Sequence, residues 1–399
     1  MPLTNMARWM LCTLALLGST QPGVASEVTI TAKYVPSTVN SRFENTTPLS
    51  GFCNRWPSAP ECTGDNHSVS LGVNYSKTTI RAATNPLDQF WISLPASQVI
   101  QVRSTTGDEH ALTFSMSRFS ARVGGGRSDF YNPIWTYGVR GGCTFIRSLG
   151  NAVWGVGLWR VSDPNTPTPC YSTSDTGPAG GALEVSVSEF SIGYILEAPD
   201  PLSMRSGVYF GSVTYSVGEA GEIALGNNVS MLNTSSVTLN FELEVLHHLQ
   251  LEFSGRSDQV LLEPPGGWAR WLNGGPKPER LERDLPFRIW SSGPLSVYMD
   301  CGVPGPNSCG IRNTRNGHTV PLDVSLTLPG GISQSGHPVQ REQVPTGRRQ
   351  PLILQSTRPV FNQPGALHFA TASGEAAQML DNPGDTYTGN VTVVFDAML

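Results

Sequence analysis

Val237-Thr-Leu-Asn-Phe-Glu-Leu-Glu-Val245 alternates apolar and polar residues without a break. A period of two places Val237, Leu239, Phe241, Leu243 and Val245 on one face, which is the pattern of a half-buried β-strand. Leu246-His-His248 interrupts the pattern, and Leu249-Gln-Leu-Glu-Phe253 resumes it. Two strands with almost no linker between them read as the end of one domain and the start of the next. A single long bent strand is the other reading. The division places one domain at 27–246 and a second at 247–399.

The same alternation recurs outward in both directions. It is present at 28–34, 67–75, 111–116, 152–161, 183–196 and 208–217 on one side, and at 260–263, 287–290, 320–328, 366–370 and 386–395 on the other. β-Branched and aromatic residues fill these runs, and Gly, Pro, Asn and Asp bound them. Only 14% of the 399 residues are charged, against roughly 25% in ordinary globular chains. With 42 Gly and 31 Pro, long charged helices are excluded. The one helix candidate is short, at 375–380. The fold class expected is all-β, built as two β-sandwich domains. A net charge of −5 gives no bulk electrostatic case for nucleic acid.

Residues 1–26 read as a secretory signal peptide. Arg8 precedes an apolar run from Trp9 to Leu17, and small residues follow to Gly23-Val-Ala-Ser26. The run is too short to span a membrane. Cleavage after Ala25 or Ser26 fits equally well. Removal of the signal discards Cys12 and leaves Cys53, Cys62, Cys143, Cys170, Cys301 and Cys309. An even count in an exported chain reads as a disulfide framework. Six cysteines allow fifteen pairings. Their spacing favours the nearest-neighbour set Cys53–Cys62, Cys143–Cys170 and Cys301–Cys309. No Cys-x-x-Cys occurs, and no histidine has metal spacing to a cysteine pair, so neither a metal nor a cofactor is expected.

Catalytic signatures are missing. None of the seven histidines lies in His-Glu-x-x-His, and no Gly-x-Ser-x-Gly elbow occurs. Acid pairs such as Asp108–Glu109 and Glu282/Asp284 are the residue types of glycoside hydrolysis. Isolated exposed carboxylates are the commoner explanation, so the chain is read as a non-enzyme. His247 and His248 are adjacent and would face opposite ways on a strand, which suits a junction better than a ligand pair.

One stretch departs from the mean. Residues 111–162 contain Arg118, Arg122, Arg127, Arg140, Arg147 and Arg160 but a single acid, Asp129, a local balance of +5. Aromatics are interleaved, among them Trp154 and Trp159. Arginine forks bind carboxylates, sulfates and phosphates, and aromatic faces supply flat apolar contact. Arg140, Arg147, Arg160, Trp154 and Trp159 are therefore the candidate receptor-binding residues, for an acidic or partly anionic glycan. Solvated arginines on a strand face with core tryptophans are the bland alternative.

The last strand, Thr386-Tyr-Thr-Gly-Asn-Val-Thr-Val-Val-Phe395, has Tyr387, Val391, Val393 and Phe395 on one face. It reads either as an ordinary strand of a complete sheet or as the edge of a sandwich lacking a strand, to be supplied by another chain. Here the residues look familiar. Tyr137-Gly-Val-Arg-Gly-Gly-Cys143, Leu285-Pro-Phe-Arg-Ile-Trp-Ser-Ser292, Asn316-Gly-His-Thr-Val-Pro-Leu-Asp323, Pro359-Val-Phe-Asn-Gln-Pro-Gly365 and the ending Tyr387–Asp396 resemble a known family. It is the cable-pilus and colonisation-factor type of fimbrial tip subunit, the pilus biogenesis initiators of the alternate chaperone–usher pathway in Gram-negative bacteria. The resemblance spans nearly the whole chain after the signal.

That resemblance implies an N-terminal adhesin domain for a host-cell glycoconjugate and a C-terminal pilin domain with an incomplete immunoglobulin-like sandwich lacking its last strand. A periplasmic pilus chaperone would fill the gap first, and the major pilin subunit would replace it at the outer-membrane usher. Tyr387, Val391, Val393 and Phe395 would then line the donor-strand groove. The subunit would accept a strand and donate none, and would reside at the fimbrium tip on the cell surface without spanning a membrane. The alternatives are a purely structural pilus-initiating subunit and a secreted polysaccharide hydrolase. Two features depart from the family. The arginines of its receptor pocket have no counterpart in Thr46–Ser50 or Gly218–Glu222, and the Cys301–Cys309 loop differs from its pilin-domain disulfide.

Overall fold

A computed structural model describes residues 25–37, 41–133, 139–172, 174, 176–254, 258–305, 307–381 and 384–398. Apart from Ala25 and Ser26, the signal segment lies outside them. In the first half the strands that position the site are β1 (Ser26–Tyr34), β2 (Tyr75–Ile80), β3 (Gln98–Ser104), β4 (Glu109–Gly124), β5 (Cys143–Gly150), β6 (Trp154–Val161), β7 (Ala182–Glu197), β8 (Gly207–Gly218) and β9 (Ser236–Val245). They pair in the order β2-β7-β4-β3-β8-β9-β1, with β6 on β4 and β5 on β6. β1 and β9 run parallel, from Ser26↔Val237 to Tyr34↔Val245.

The two longest strands, β4 and β7, have 16 residues each. β3 pairs with β4 only as far as Phe114, and β6 takes over from Arg118. One continuous sheet thereby wraps a single core. The alternating residues of β9 supply its centre: Val237, Leu239, Phe241, Leu243 and Val245 are at most 1% exposed.

The second half contributes β10 (Leu249–Phe253), β11 (Glu282–Ser291), β12 (Leu295–Cys301), β13 (Cys309–Asn313), β14 (Thr319–Thr327), β15 (Leu352–Ser356), β16 (Val360–Thr371), β17 (Tyr387–Thr388) and β18 (Val391–Ala397). One sheet has the order β10-β11-β16-β14-β13-β17, and the other ends β15-β12-β18. A separate core fills the space between them, from Phe287 and Ile289 to Leu367 and Phe369. The molecule is therefore two β-sandwich domains. Its six paired cysteines bond as nearest neighbours: Cys53–Cys62, Cys143–Cys170 and Cys301–Cys309.

Several strand expectations need correction. The run at 67–75 is two strands, His67–Ser70 and β2, because Gly72 turns the chain at φ +65°. The run at 260–263 forms no strand, and only Glu263 bridges Glu282. Residues 386–395 are not one strand. β17 pairs with β13 in one sheet, whereas β18 pairs with β12 in the other. The crossing falls at Gly389-Asn390, where a Cβ on Gly389 would lie 2.4 Å from the Gly310 carbonyl oxygen. The strands around 287 and 366 are longer than expected and run through Pro286 and Pro364. Pro286 lies beyond the reach of β10 and Pro364 beyond that of β14, so each is paired on one side only. A missing N–H is tolerated on a free edge.

Leu246-His-His248 joins β9 to β10. His247 Nε2 donates to the Met204 carbonyl (2.9 Å), and its Nδ1 lies 3.4 Å from Ser292 Oγ. The His248 N–H donates to Ser292 Oγ (2.9 Å), and the Ser292 N–H returns to the His248 carbonyl. A Cβ on Gly293 would meet the His247 ring at 2.4 Å, so glycine is required for the domains to approach this closely. Burial holds the His247 imidazole below its ordinary pKa, against hydrogen bonds to the backbone of Met204, Pro201 and Ser292 that pull the other way.

Candidate functional site

Two places gather the residues singled out in the sequence. The first is the outer face of β4, β5 and β6. Cross-strand register sets Arg118 opposite Arg160, Arg122 opposite Val156, and Arg147 opposite Leu158. The loop closed by Cys53–Cys62, with its short helix Phe52–Arg55, packs on this face through Phe52, Cys53 and Leu158. It brings Glu61, 7% exposed, to Arg147 at 2.8 Å. Burial lowers the Arg118 pKa, the like charge of Arg160 lowers it further, and Glu61 opposes both.

At the upper edge of this face the Arg122 guanidinium lies over the Trp154 ring, 4.6 Å from its centroid. Arg122 also reaches Glu189 at 3.2 Å, and Arg55 reaches the same carboxylate at 2.7 Å. Burial raises the Glu189 pKa, but hydrogen bonds from the two guanidiniums outweigh it and hold the carboxyl below its usual range.

Arg147, Arg160 and Trp154 thus share one face. Trp159 does not join them. It is 2% exposed and stacks on Phe119 with centroids 5.0 Å apart, in the core. Inward Gly157 makes room, since a Cβ there would lie 2.3 Å from its ring. Arg140 sits on a separate three-stranded sheet with Phe90–Ile92 and Cys170–Ser172, exposed and apart from the other arginines. Arg55, Glu61 and Glu189 were missed. They come from distant segments, and no local pattern links them to the basic stretch.

No family model and no curated protein matches the chain. Among solved structures it is similar to a chain of the crystal structure of the CsuC–CsuE chaperone–tip adhesion subunit pre-assembly complex, from archaic chaperone–usher Csu pili of Acinetobacter baumannii. Identity is 10%, the TM-score is 0.22, and the match covers 94% of this chain and 99% of that one. The fold described above rests on the strand pairing and the two cores.

The second place is a seam of the second sandwich. β10 is outermost in one sheet and β18 outermost in the other. Inward residues of the central strands are fully covered, as Val297, Met299 and Val324 show at 0% exposure. Leu249, Leu251 and Phe253 of β10 and Val391, Val393 and Phe395 of β18 pack against the same core but are only half-buried. Buried Phe287 lies between them, 5.5 Å from the Phe253 ring and 5.8 Å from that of Phe395. Tyr387 packs against the same core from β17, at the far end of the sheet that carries β10, where it meets His318 edge-on with its phenol 3.1 Å from Nδ1.

The carboxylates weighed for glycoside hydrolysis hold structural partners. Tyr209 donates its phenol to Asp108 (2.6 Å), and His368 Nδ1 contacts Asp284 (2.7 Å). Among the described residues no cluster of three His, Cys, Asp or Glu side chains could hold a metal, and no helix is long and apolar enough to cross a membrane.

Proposed function

We propose that this chain is a pilus subunit of the alternate chaperone–usher type, with an adhesin domain at 27–246 and a pilin domain at 247–399. The pilin domain takes a strand from a periplasmic chaperone and then from the major pilin at the usher. The assembled subunit stands at the fimbrium tip on a Gram-negative surface and holds a host glycoconjugate through its first domain.

The half-buried seam between β10 and β18 carries this reading. A sandwich whose two edge strands leave six apolar side chains half-covered beside a buried phenylalanine gains by adding one strand there. The free main-chain edge of β18 supplies hydrogen-bond partners, and the alternating inward pockets supply specificity. Neither β10 nor β18 carries a proline or lysine to block pairing.

The test is co-expression in the periplasm with a pilus chaperone. The chain should accumulate as a stoichiometric complex, and Val393→Asp should abolish that complex. Equal accumulation with and without chaperone, unaffected by Val393→Asp, overturns the pilin reading. For the first domain, retention on immobilised host glycans separates an adhesin from a purely structural initiating subunit.

A further inference from the structure

We propose that the cross-strand pair Arg118–Arg160, on the outer face of β4 and β6, binds the acidic group of a glycan, a carboxylate or sulfate held between two guanidiniums. This deepens the receptor half of the function proposed above and rests on it.

Strand register builds the site. At one level of this face the neighbours, from β5 across β6 and β4 to β7, are Thr144, Arg160, Arg118 and Gly193. Two arginines stand side by side, and the row holds no acid. Like charges directly opposite each other in an antiparallel pair destabilise it. Burial is the larger cause of the lowered Arg118 pKa and the charge of Arg160 adds to it, so the two guanidiniums lie close enough to repel. The next two rows carry Arg147 and Arg122, and a carboxylate is brought to each, Glu61 at 2.8 Å and Glu189 at 3.2 Å. None is brought to Arg160. It is exposed, and among the described residues its side chain takes part in no ion pair and no hydrogen bond. A Cβ on Gly193 would lie 3.0 Å from both Arg118 Cβ and the Phe52 ring, so the Cys53–Cys62 loop closes the β7 end of the row. A ligand reaches the pair from the Arg160 end, where exposed Thr144 adds a hydroxyl.

Charge decides the class of ligand. Arg55, Arg118, Arg122, Arg147 and Arg160 against Glu61 and Glu189 leave the face at +3, in a chain whose net charge is −5. Arginine is not deprotonated in proteins, so a change of pH does not relieve the repulsion, whereas an anion does. One carboxylate or sulfate between two forks accepts N–H bonds from both. The hydroxyls of a neutral sugar would leave the two charges opposed.

The experiment applies the full-length chain to an array of neutral, sialylated and sulfated glycans, then titrates it with lactose, sialyllactose and sulfated lactose by calorimetry. Arg160→Gln and Arg160→Lys are compared with Arg349→Ala, which removes the same charge from the second domain. Acidic glycans should bind, the sialylated arm reporting a carboxylate and the sulfated arm a sulfate. Arg160→Gln should weaken that binding at least tenfold. Arg160→Lys, which keeps the charge and loses the fork, should weaken it several-fold, and Arg349→Ala should change nothing. Arg160→Gln should melt no lower than the parent, because it removes a repulsion, and the acidic lactoses should raise the midpoint of the parent but not of Arg160→Gln. Acidic binding unchanged in Arg160→Gln, or weakened equally by Arg349→Ala, overturns the pair and leaves the adhesin reading standing. Binding confined to neutral glycans overturns the acidic assignment and also leaves that reading standing. No binding to any glycan overturns both the pair and the receptor reading, and leaves the pilin reading untouched.

Discussion

Supplying the strand in cis should stabilise the second domain by about 5 kcal/mol. The perturbation is a C-terminal extension: an Asn-Gly turn followed by a seven-residue strand with four valines or isoleucines at its inward positions. It forms a hairpin with β18, because Asn-Gly favours a two-residue type I′ turn. The six half-buried side chains of the seam gain about 1 kcal/mol each, and the four donor side chains about 2 kcal/mol each. Ordering seven donor residues costs about 1–1.5 kcal/mol apiece. The balance favours the fused form by about 5 kcal/mol, before main-chain hydrogen bonds add a further few tenths to one kcal/mol each. For a domain of this size that is a rise of about 10–20 °C in the thermal midpoint, read by calorimetry. A second fusion, shifted by one residue, turns its valines outward and should give little or none of the rise. Equal midpoints for the parent and the in-register fusion, or equal gains from both fusions, would refute the open seam.

Further outcomes follow from other buried groups. Lys77 is fully buried on the carbonyls of Leu225 (2.8 Å), Asn227 (2.6 Å) and Leu87 (3.2 Å), and burial lowers its pKa to about 8, with Glu219 and Asp88 opposing. The unfolded chain therefore binds more protons between pH 8 and 10.5, so stability should rise through that window by up to about 3 kcal/mol. Denaturant titrations should show that rise, and Lys77→Met should remove it. His247 has its pKa lowered below 6.5 by burial, so its contribution is present at neutral pH and lost as the pH falls through the unfolded value. Limited proteolysis at the Leu246–His248 junction should accelerate between pH 7.5 and 5.5, and His247→Gln should cleave at a rate independent of pH. Glu61→Ala strands the half-buried Arg147, removes the anion that faces Arg118, and should cost about 2 kcal/mol, whereas adding Arg147→Ala should restore part of it in a double-mutant cycle.

Strand parity was fully legible in the sequence. Val237 to Val245 alternate, and all five inward residues lie in the core. The same rule, applied to β6, separates Trp154 from Trp159. They are five residues apart, so one must face out when the other faces in. Gly155 and Gly157 share the inward parity of Trp159, and the space left at Gly157 takes its ring. Grouping the two tryptophans by composition overlooked that parity. It was likewise not legible that 386–395 would divide between two sheets, because the crossing depends on the close approach of Gly389 to Gly310 from another strand.

The partners of the basic stretch lay further out of reach for the same kind of reason. Arg118, Arg122, Arg147 and Arg160 come together through hairpin register, which local sequence does encode. Their acidic counterparts arrive by tertiary routes: Glu61 on a loop that a disulfide folds over the sheet, and Glu189 from a strand whose irregularity turns it toward Arg55 and Arg122. An excess of positive charge in a sequence window thus became, in space, a set of arginines shared among two carboxylates. That lowers the charge a ligand meets without reversing it. Free guanidinium forks would select an anion, which is what the +5 balance of the window suggests. Arg55, Arg118, Arg122, Arg147 and Arg160 against Glu61 and Glu189 still leave this face at +3, so the tertiary partners reduce the charge of the window and keep its sign.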